Sequence, residues 1–510
     1  MRGFLTLSFV LTAATSAFGA WVPARTLKNR GSSGLIDCLD DAGLDPVVYS
    51  DSAYATDAAP FNLRLPWKPI ALVYPTDTAG VSAAVKCGAS HGVKVNARSG
   101  GHSYAAFALG GADGHLTVSL DHLRHLSLDG DVATIGAGNC LGDVALFLWE
   151  TANRAMAHGT CPYVGIGGHA GQGGFGLPSR AWGLLSDQVL SVEIVTADGA
   201  VHTASADKNA DLFWAVTGAG ASFGIITSFT TITHEAVPSV AFSYEFAQYS
   251  PAQASKALQA WQEFANDPAS PLDVNLGLQA HVNPGDTPTG VLFSVSGQYY
   301  TADEAKVNAT MAPLLAKLGT PSKTTMEAQD WITSVLFLAG TTGIDSLNST
   351  LAPDTHDTFY ATSTFVPQKQ MMAPAAADAL MEYFYGPGAT SSVAWFVIFD
   401  LYGGGESVIT QKPADFNSFN GRDALYSIQY YGTIPASVSD ADGIEFIQGM
   451  KAAVEDNQRG TVFREYVNYI DSTYTAKEAH KRYYPTHTPR LTALKNKYDP
   501  ARVFNFPQDF

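Results

Sequence analysis

Residues 96–104 read NARSGGHSY and residues 158–176 read HGTCPYVGIGGHAGQGGFG. These two segments decide the fold. Val93–Ala97 reads as a strand, and Gly100-Gly101 behind it lets the backbone turn with its amides exposed. Successive amides in such a turn form a concavity that binds phosphate oxygens. The second segment holds eight glycines in nineteen positions, too many for a core element. That density suits close approach of the backbone to a flat or anionic ligand. A dinucleotide fingerprint through Gly165-x-Gly167-x-x-Ala170 would need a strand before it and an amphipathic helix after it. More glycine and then Pro178 follow instead, so that reading is set aside.

Outward from these segments, residues 25–235 alternate strands and helices. Ile70–Tyr74 is a buried strand, and Thr76 is positioned to cap a helix running to Ser90. Leu116–Leu120, Val132–Ala137, Val189–Thr196 and Phe223–Thr231 read as strands, with helices over Leu141–Ala155 and Asp211–Thr217. Residues 236–455 change texture. Alternating strands at Asp273–Val282, Gly290–Tyr300, Phe359–Phe365 and Ser392–Tyr402 are separated by helices at Ala252–Asn266 and Ala302–Leu318. That pattern predicts an antiparallel sheet covered by helices. Residues 456–510 are dense in Tyr and basic side chains. Arg482, Arg490, Lys495 and Lys497 read as a solvated helix face.

The 510-residue chain is 46 % hydrophobic and 15 % charged, so it can bury a full core and is not disordered. Its net charge of −17 repels phosphate backbones and speaks against nucleic acid. Residues 1–20 have a positive start at Arg2, an apolar run Phe4–Ala14 and small residues to Ala20, the pattern of a secretory signal peptide cleaved after Ala17 or Gly19. The run is too short to anchor in a membrane. Asn308 and Asn348 begin glycosylation sequons, meaningful on a secretory route. His122-x-x-His125 and His480 lack the carboxylate or Cys set of a metal site, so no metal is expected.

Arg98-Ser-Gly-Gly-His102-Ser-Tyr104, with Cys161-Pro-Tyr-Val-Gly-Ile-Gly-Gly-His169 some sixty residues on, resembles the berberine-bridge-enzyme-like flavoprotein oxidases, and within them the fungal oligosaccharide oxidases. Asp211-Leu-Phe-Trp-Ala with Gly218, Phe223-Gly-Ile225, Asp400-Leu-Tyr-Gly-Gly and Tyr466-Val-Asn468-Tyr469-Ile-Asp471 extend the match over nearly the whole chain. The resemblance implies an α+β fold of two lobes, the vanillyl-alcohol-oxidase-like FAD-binding type. Residues 25–235 and 456–510 would form the FAD-binding lobe, and residues 236–455 a substrate lobe of antiparallel sheet backed by helices.

It implies FAD held by two covalent bonds, from His102 to the 8α-methyl and from Cys161 to ring carbon 6. Arg98, Ser99, Gly100, Gly101, Ser103, Val164, Gly165, Gly168, His169, Gly171, Gly174, Gly176, Ile225, Tyr466 and Asn468 would line the cofactor. Val164 belongs to the oxygen-permissive type at its position, which favours an oxidase over a dehydrogenase. Cys38 and Cys87 match a disulfide pair of this group, and Cys140 is left to pack as a small buried hydrophobe.

Oxidation of a sugar at its anomeric carbon requires hydride transfer to flavin and removal of the hydroxyl proton by a base within hydrogen-bond reach. Carried over from the resemblance, Tyr469 is that base, with Tyr466 the next candidate, Asp400 its carboxylate partner and Tyr104 beside flavin and substrate. A carboxylate does not lower a neighbouring phenol's pKa, so Asp400 acts by accepting the proton's hydrogen bond and orienting the pair. In the strand Asp273–Val282, Gln279 shares a polar face with Asn275 and His281, suited to sugar hydroxyls. Phe396 shares the face of Asp400 and offers a ring for sugar stacking, while Ile398 brings no polar group.

The expected activity is oxidation of the reducing-end hemiacetal of an oligosaccharide to the lactone, with dioxygen reduced to hydrogen peroxide, by a secreted monomer without membrane attachment. An oxidase of an alkaloid or phenolic metabolite, and a flavin- or sugar-binding protein without turnover, are the competing readings.

Overall fold

Parallel pairing near the start of the chain and antiparallel pairing in its middle organise the molecule, described by a computed structural model over residues 32–352 and 354–510. The segment 1–20, read above as a signal peptide, lies outside the described residues. A small parallel sheet places Leu116–Ser119 between Ala71–Val73 and Val95–Arg98. All three strands are short and mostly apolar, as strands covered on both faces require. Five further strands form an antiparallel sheet in the order Leu126–Asp129, Val132–Gly136, Ile225–Ile232, Val189–Val195, Val201–Ser205. Both sheets share one core, in which Val85, Val95, Val118, Ile135, Leu148 and Leu212 are fully buried. The disulfide Cys38–Cys87 ties the helix Ser32–Asp41 to the helix Thr78–Ser90 within this core.

The middle of the chain folds into a seven-stranded antiparallel sheet. Its order is Lys323–Gln329, Ser239–Phe246, Val291–Tyr299, Leu276–Pro284, Ala394–Leu401, Ala424–Thr433, Phe359–Pro367. The helices Pro251–Ala265, Glu304–Leu318, Pro374–Tyr385 and Asp440–Glu455 supply the apolar cover on one face. Period-two alternation decides what remains for the other face. Val397 and Phe399 turn into the helix-backed core, and Phe396, Ile398 and Asp400 turn away from it.

Two buried cations bolt the chain's earlier segments to this sheet. Arg180 is fully buried and donates to the carbonyls of Asp273 (2.8 Å), Leu276 (2.5 Å), Gly403 (3.0 Å) and Gly404 (2.9 Å). Burial pulls its pKa down to about 10, which still leaves it charged at neutral pH. Removing it would take a donor from all four carbonyls, of which those of Asp273 and Gly404 keep the N–H groups of Leu276 and Ser407. Arg422 makes a bidentate pair with Asp187 at 2.7 and 2.5 Å.

Local departures from the sequence reading have local causes. The helix after Ile70–Tyr74 is capped by Asp77, whose Oδ1 accepts the N–H of Gly80 at 2.8 Å, and not by Thr76. The helix from Leu141 ends at Ala152 because Asn153 turns left-handed (φ +52°), freeing Arg154–Ala155 to pair with His234–Glu235. Lys495 does not belong to a solvated face. It is fully buried, 2.9 Å from both Asp499 and Asp509, and donates to the carbonyl of Ser222 at 2.7 Å. Arg482 pairs with Glu455, and the Arg490 guanidinium lies 3.7 Å from the Trp214 ring centroid. Lys497, at the surface, pairs with Asp211. Among the described residues, no helix is long and apolar enough to cross a membrane.

Candidate active site

The two glycine-rich segments face each other. A Cβ on Gly100 would stand 2.4 Å from the amide nitrogen of Gly165, so only glycine permits the approach. Gly101 has φ +76°, which lets the loop reverse behind it. Ser99 pins the pair, donating from Oγ to the Ala137 carbonyl (2.6 Å) and accepting the N–H of Gly167 (3.1 Å). Along the lip, the amides of Gly100, Gly101, His102 and Ser103 meet no protein acceptor among the described residues. Four successive unpartnered donors on residues that line a cavity fit an anionic, phosphate-bearing ligand.

The cavity holds about 420 Å³ and runs from these amides to the open face of the seven-stranded sheet. His102, Cys161, Ser99, Ser103, Val164, Gly165, Gly168, His169, Gly171, Gly176 and Asn468 line it, as do Tyr104, Tyr466, Tyr469, Gln279, Phe396 and Asp400. Three of the sequence-chosen residues do not. Arg98 lies behind the loop, bonding the carbonyl of Asp57 and the hydroxyl of Ser119. Gly174 (φ +80°) packs on His169 and gives its N–H to Tyr466. Ile225 points into the core at 1 % exposure, and its neighbours Gly224 and Ile226 line the cavity in its place. A strand's alternation gives adjacent residues opposite faces, so Ile225 turns away from the cavity that Gly224 and Ile226 line.

Strand register builds the opposite wall. Gln279 pairs across with Asp400, Ile398 with Gln429, and Phe396 with Tyr431. Gln279 Nε2 donates to Asp400 Oδ1 at 2.6 Å, and the Tyr469 hydroxyl donates to Asp400 Oδ2 at 3.3 Å. Burial pushes the Asp400 carboxyl up to about 6, against the pull of these two hydrogen bonds. Burial and then the Asp400 charge hold the Tyr469 phenol well above its ordinary value. Tyr104 stacks on Tyr469 with ring centroids 6.0 Å apart, and its own hydroxyl accepts from Gln429 Nε2 at 3.0 Å.

Tyr466 is placed differently. Its oxygen accepts the N–H groups of Gly174 (3.0 Å) and Phe175 (3.1 Å) and the Asn468 amide (3.0 Å). That oxygen holds the glycine-rich backbone in place, whereas the Tyr469 oxygen keeps free lone pairs beside a carboxylate. Phe396, which lines the cavity, stacks on Tyr431 at 4.8 Å, and Tyr431 on Phe359 at 4.6 Å, so its ring is held from behind. Burial raises the Cys161 thiol to about 11 and lowers His169 to about 3, so both are neutral at pH 7. Cys140 is buried, with its thiol pushed up to about 12. Gln429, Phe61 and Asp354 were not singled out from the sequence. Gln429 and Asp354 meet their partners across hundreds of residues and Phe61 across some forty, separations that no local pattern announces.

Comparison with known proteins gives a consistent set. The family described as "FAD binding domain" matches residues 69–205, and that described as "Berberine and berberine like" matches residues 465–509. A chitooligosaccharide oxidase from Gibberella zeae is 34 % identical over 474 residues, covering 92 % of this chain and 93 % of the relative. A xylooligosaccharide oxidase from Thermothelomyces thermophilus is 33 % identical, covering 98 % of each. A solved structure of glucooligosaccharide oxidase from Acremonium strictum superposes with a TM-score of 0.86 at 31 % identity, over 93 % of this chain and 98 % of that one. That protein is described as carrying a 6-S-cysteinyl, 8α-N1-histidyl FAD.

Proposed function

The chain belongs to the berberine-bridge-type family of FAD-linked oxidoreductases, and on that premise we propose that it is a secreted carbohydrate oxidase acting on the anomeric C–OH at the reducing end of an oligosaccharide. The observation that carries the reading is the meeting of Tyr469, Asp400 and Gln279 in one cavity with His102, Cys161 and a lip of unpartnered amides. Residues 25–235 and 456–510 serve as the flavin lobe in this reading, and residues 236–455 as the substrate lobe. Secretion rests on the signal-like pattern of residues 1–20 and agrees with a disulfide.

The residues divide the work. The amides of Gly100–Ser103 would hold the pyrophosphate, and His102 and Cys161 would bond the ring at two points and fix its plane. Bound FAD supplies the hydride acceptor and passes the electrons to dioxygen, giving hydrogen peroxide. Tyr469 receives the anomeric hydroxyl proton on its oxygen as its own proton moves along the existing hydrogen bond to Asp400. The phenol is neutral at working pH, so the group that finally takes up the proton is the carboxylate, which is why the pair acts together. Gln279 fixes Asp400 from its other oxygen. The Phe396–Tyr431 wall would stack the sugar, and the lactone released would hydrolyse to the aldonic acid.

Two expected results test this. The first is pH dependence. Asp400 must be ionised to accept the proton, so kcat/KM is half its plateau at pH about 6, reaches the plateau above it and falls tenfold per unit well below it. Asp400→Asn removes this acid limb and lowers kcat by on the order of 10²-fold. A wild-type profile flat from pH 4 to 7 would set Asp400 aside. The second is peroxide release over a panel of cello-, malto-, xylo- and chito-oligosaccharides. Release with at least one series is expected; no release with any, alongside turnover of a phenolic or alkaloid substrate, would move the protein to that branch.

A further inference from the structure

His102 is held on two sides. Phe61 stacks on its ring at a centroid distance of 3.9 Å. Its Nε2 lies 2.7 Å from Oδ2 of Asp354, a residue in the segment before the strand Phe359–Pro367. The side chains are 9 % and 20 % exposed. The other oxygen of Asp354 accepts the N–H of Thr355 at 2.8 Å, which fixes the carboxylate's orientation. His102 Nδ1 has no hydrogen-bond partner among the described residues, and the ring lines the cofactor cavity.

From this geometry we propose that Asp354 is the positioning residue that makes His102 Nδ1 the atom bonded to flavin. The inference rests on the attachment reading above and deepens it. A neutral imidazole carries one N–H and one lone pair. A carboxylate accepting from Nε2–H keeps the proton there, leaves the lone pair on Nδ1 and steadies the positive charge that develops when Nδ1 forms a bond. In the attachment step, Nδ1 forms a bond to the 8α carbon and one C–H bond of that carbon breaks. The C–H proton leaves to solvent, and the Nε2 proton stays shared with Asp354. The two electrons released are taken by dioxygen, which with two protons from solvent becomes hydrogen peroxide, and the bonded imidazole keeps the positive charge that Asp354 offsets.

The same carboxylate acts on Cys161 in the opposite sense. Burial is the main cause of that thiol's raised pKa, and the Asp354 charge adds to it. Removing the charge therefore slows bonding at His102 and does not slow bonding at Cys161, a split that a loss of packing would not produce.

The test isolates the histidine bond in a Cys161→Ala background and measures flavin retained in the acid-precipitated protein. Cys161→Ala alone should keep its flavin. Adding Asp354→Asn should lower the retained fraction, after equal incubation with FAD, by on the order of 10–100-fold, the range seen when a metal-ligating histidine loses its carboxylate partner. Adding Asp354→Glu instead should restore most of it. Acid-releasable FAD measured on the same samples shows that the variant still binds the cofactor. In the otherwise native chain, Asp354→Asn should leave the Cys161 peptide carrying flavin by mass spectrometry while the His102 peptide loses it. Asp354→Ser is read in the same way and covers a failure of the first variant to fold. Equal retention with and without Asp354→Asn overturns the proposal. A colourless Cys161→Ala pellet overturns the histidine attachment itself, which is a separate outcome.

Discussion

Tyr469→Phe lowers kcat on a reducing oligosaccharide by on the order of 10²–10⁴-fold, while the bound flavin keeps its native spectrum. The size follows from the role. Removing the hydroxyl deletes the atom that receives the substrate proton and breaks its hydrogen bond to Asp400. KM moves little, because the phenol oxygen makes its decisive interaction in the transition state. Tyr466→Phe is the matched control. Its oxygen already accepts three N–H donors from the glycine-rich segment and Asn468, so losing it disturbs backbone placement rather than proton transfer. The expected pattern is a kcat loss for Tyr469→Phe that exceeds that of Tyr466→Phe by at least tenfold. Steady-state kinetics with flavin content measured on the same preparations decides it, and the reverse order would make Tyr466 the base.

His102→Ala combined with Cys161→Ala converts the protein from one that stays yellow after acid precipitation to one whose pellet is colourless. Either single variant keeps one bond and therefore its colour. The double variant holds FAD only by the cavity and the amides of Gly100–Ser103, and its retention becomes a matter of mass action. Its thermal stability then rises with added FAD, which the wild-type protein's does not. A yellow pellet from the double variant would place the attachment on other residues, and a colourless wild-type pellet would remove covalent attachment from the account.

The sequence made some parts of this site readable for a specific reason. His102 and Cys161 sit in segments whose dense glycines mark them as ligand-facing, and the resemblance of those motifs to a known family singles out the two residues. Asp400 precedes a turn of glycines that marks a strand end, and the alternation around it places Phe396 on the same face. Contacts that depend on how distant strands pair carry no such mark. Gln429 reaches Tyr104, and Asp354 reaches His102, only because the sheet and its flanking segment return to the glycine loops. Ile225 is carried over from the resemblance, which matches a stretch of strand and does not say which of its faces meets a ligand; the cavity is lined by its neighbours Gly224 and Ile226. Lys495 reads as solvated on a basic helix, yet Asp499 and Asp509 enclose it. Asp499 lies one turn along the same helix end, while Asp509 comes from the chain's last residues, whose return no window within the helix contains.

The central claim is that the anomeric C–OH of a sugar gives up its hydride in this cavity. The measurement that tests it most directly is anaerobic mixing of the flavin-loaded protein with a reducing oligosaccharide and, separately, with the same sugar O-methylated at its anomeric oxygen. The account predicts that the free sugar bleaches the flavin's visible absorbance in a single turnover and the blocked sugar leaves it unchanged. Equal bleaching by both, or by neither across every oligosaccharide series, would contradict it.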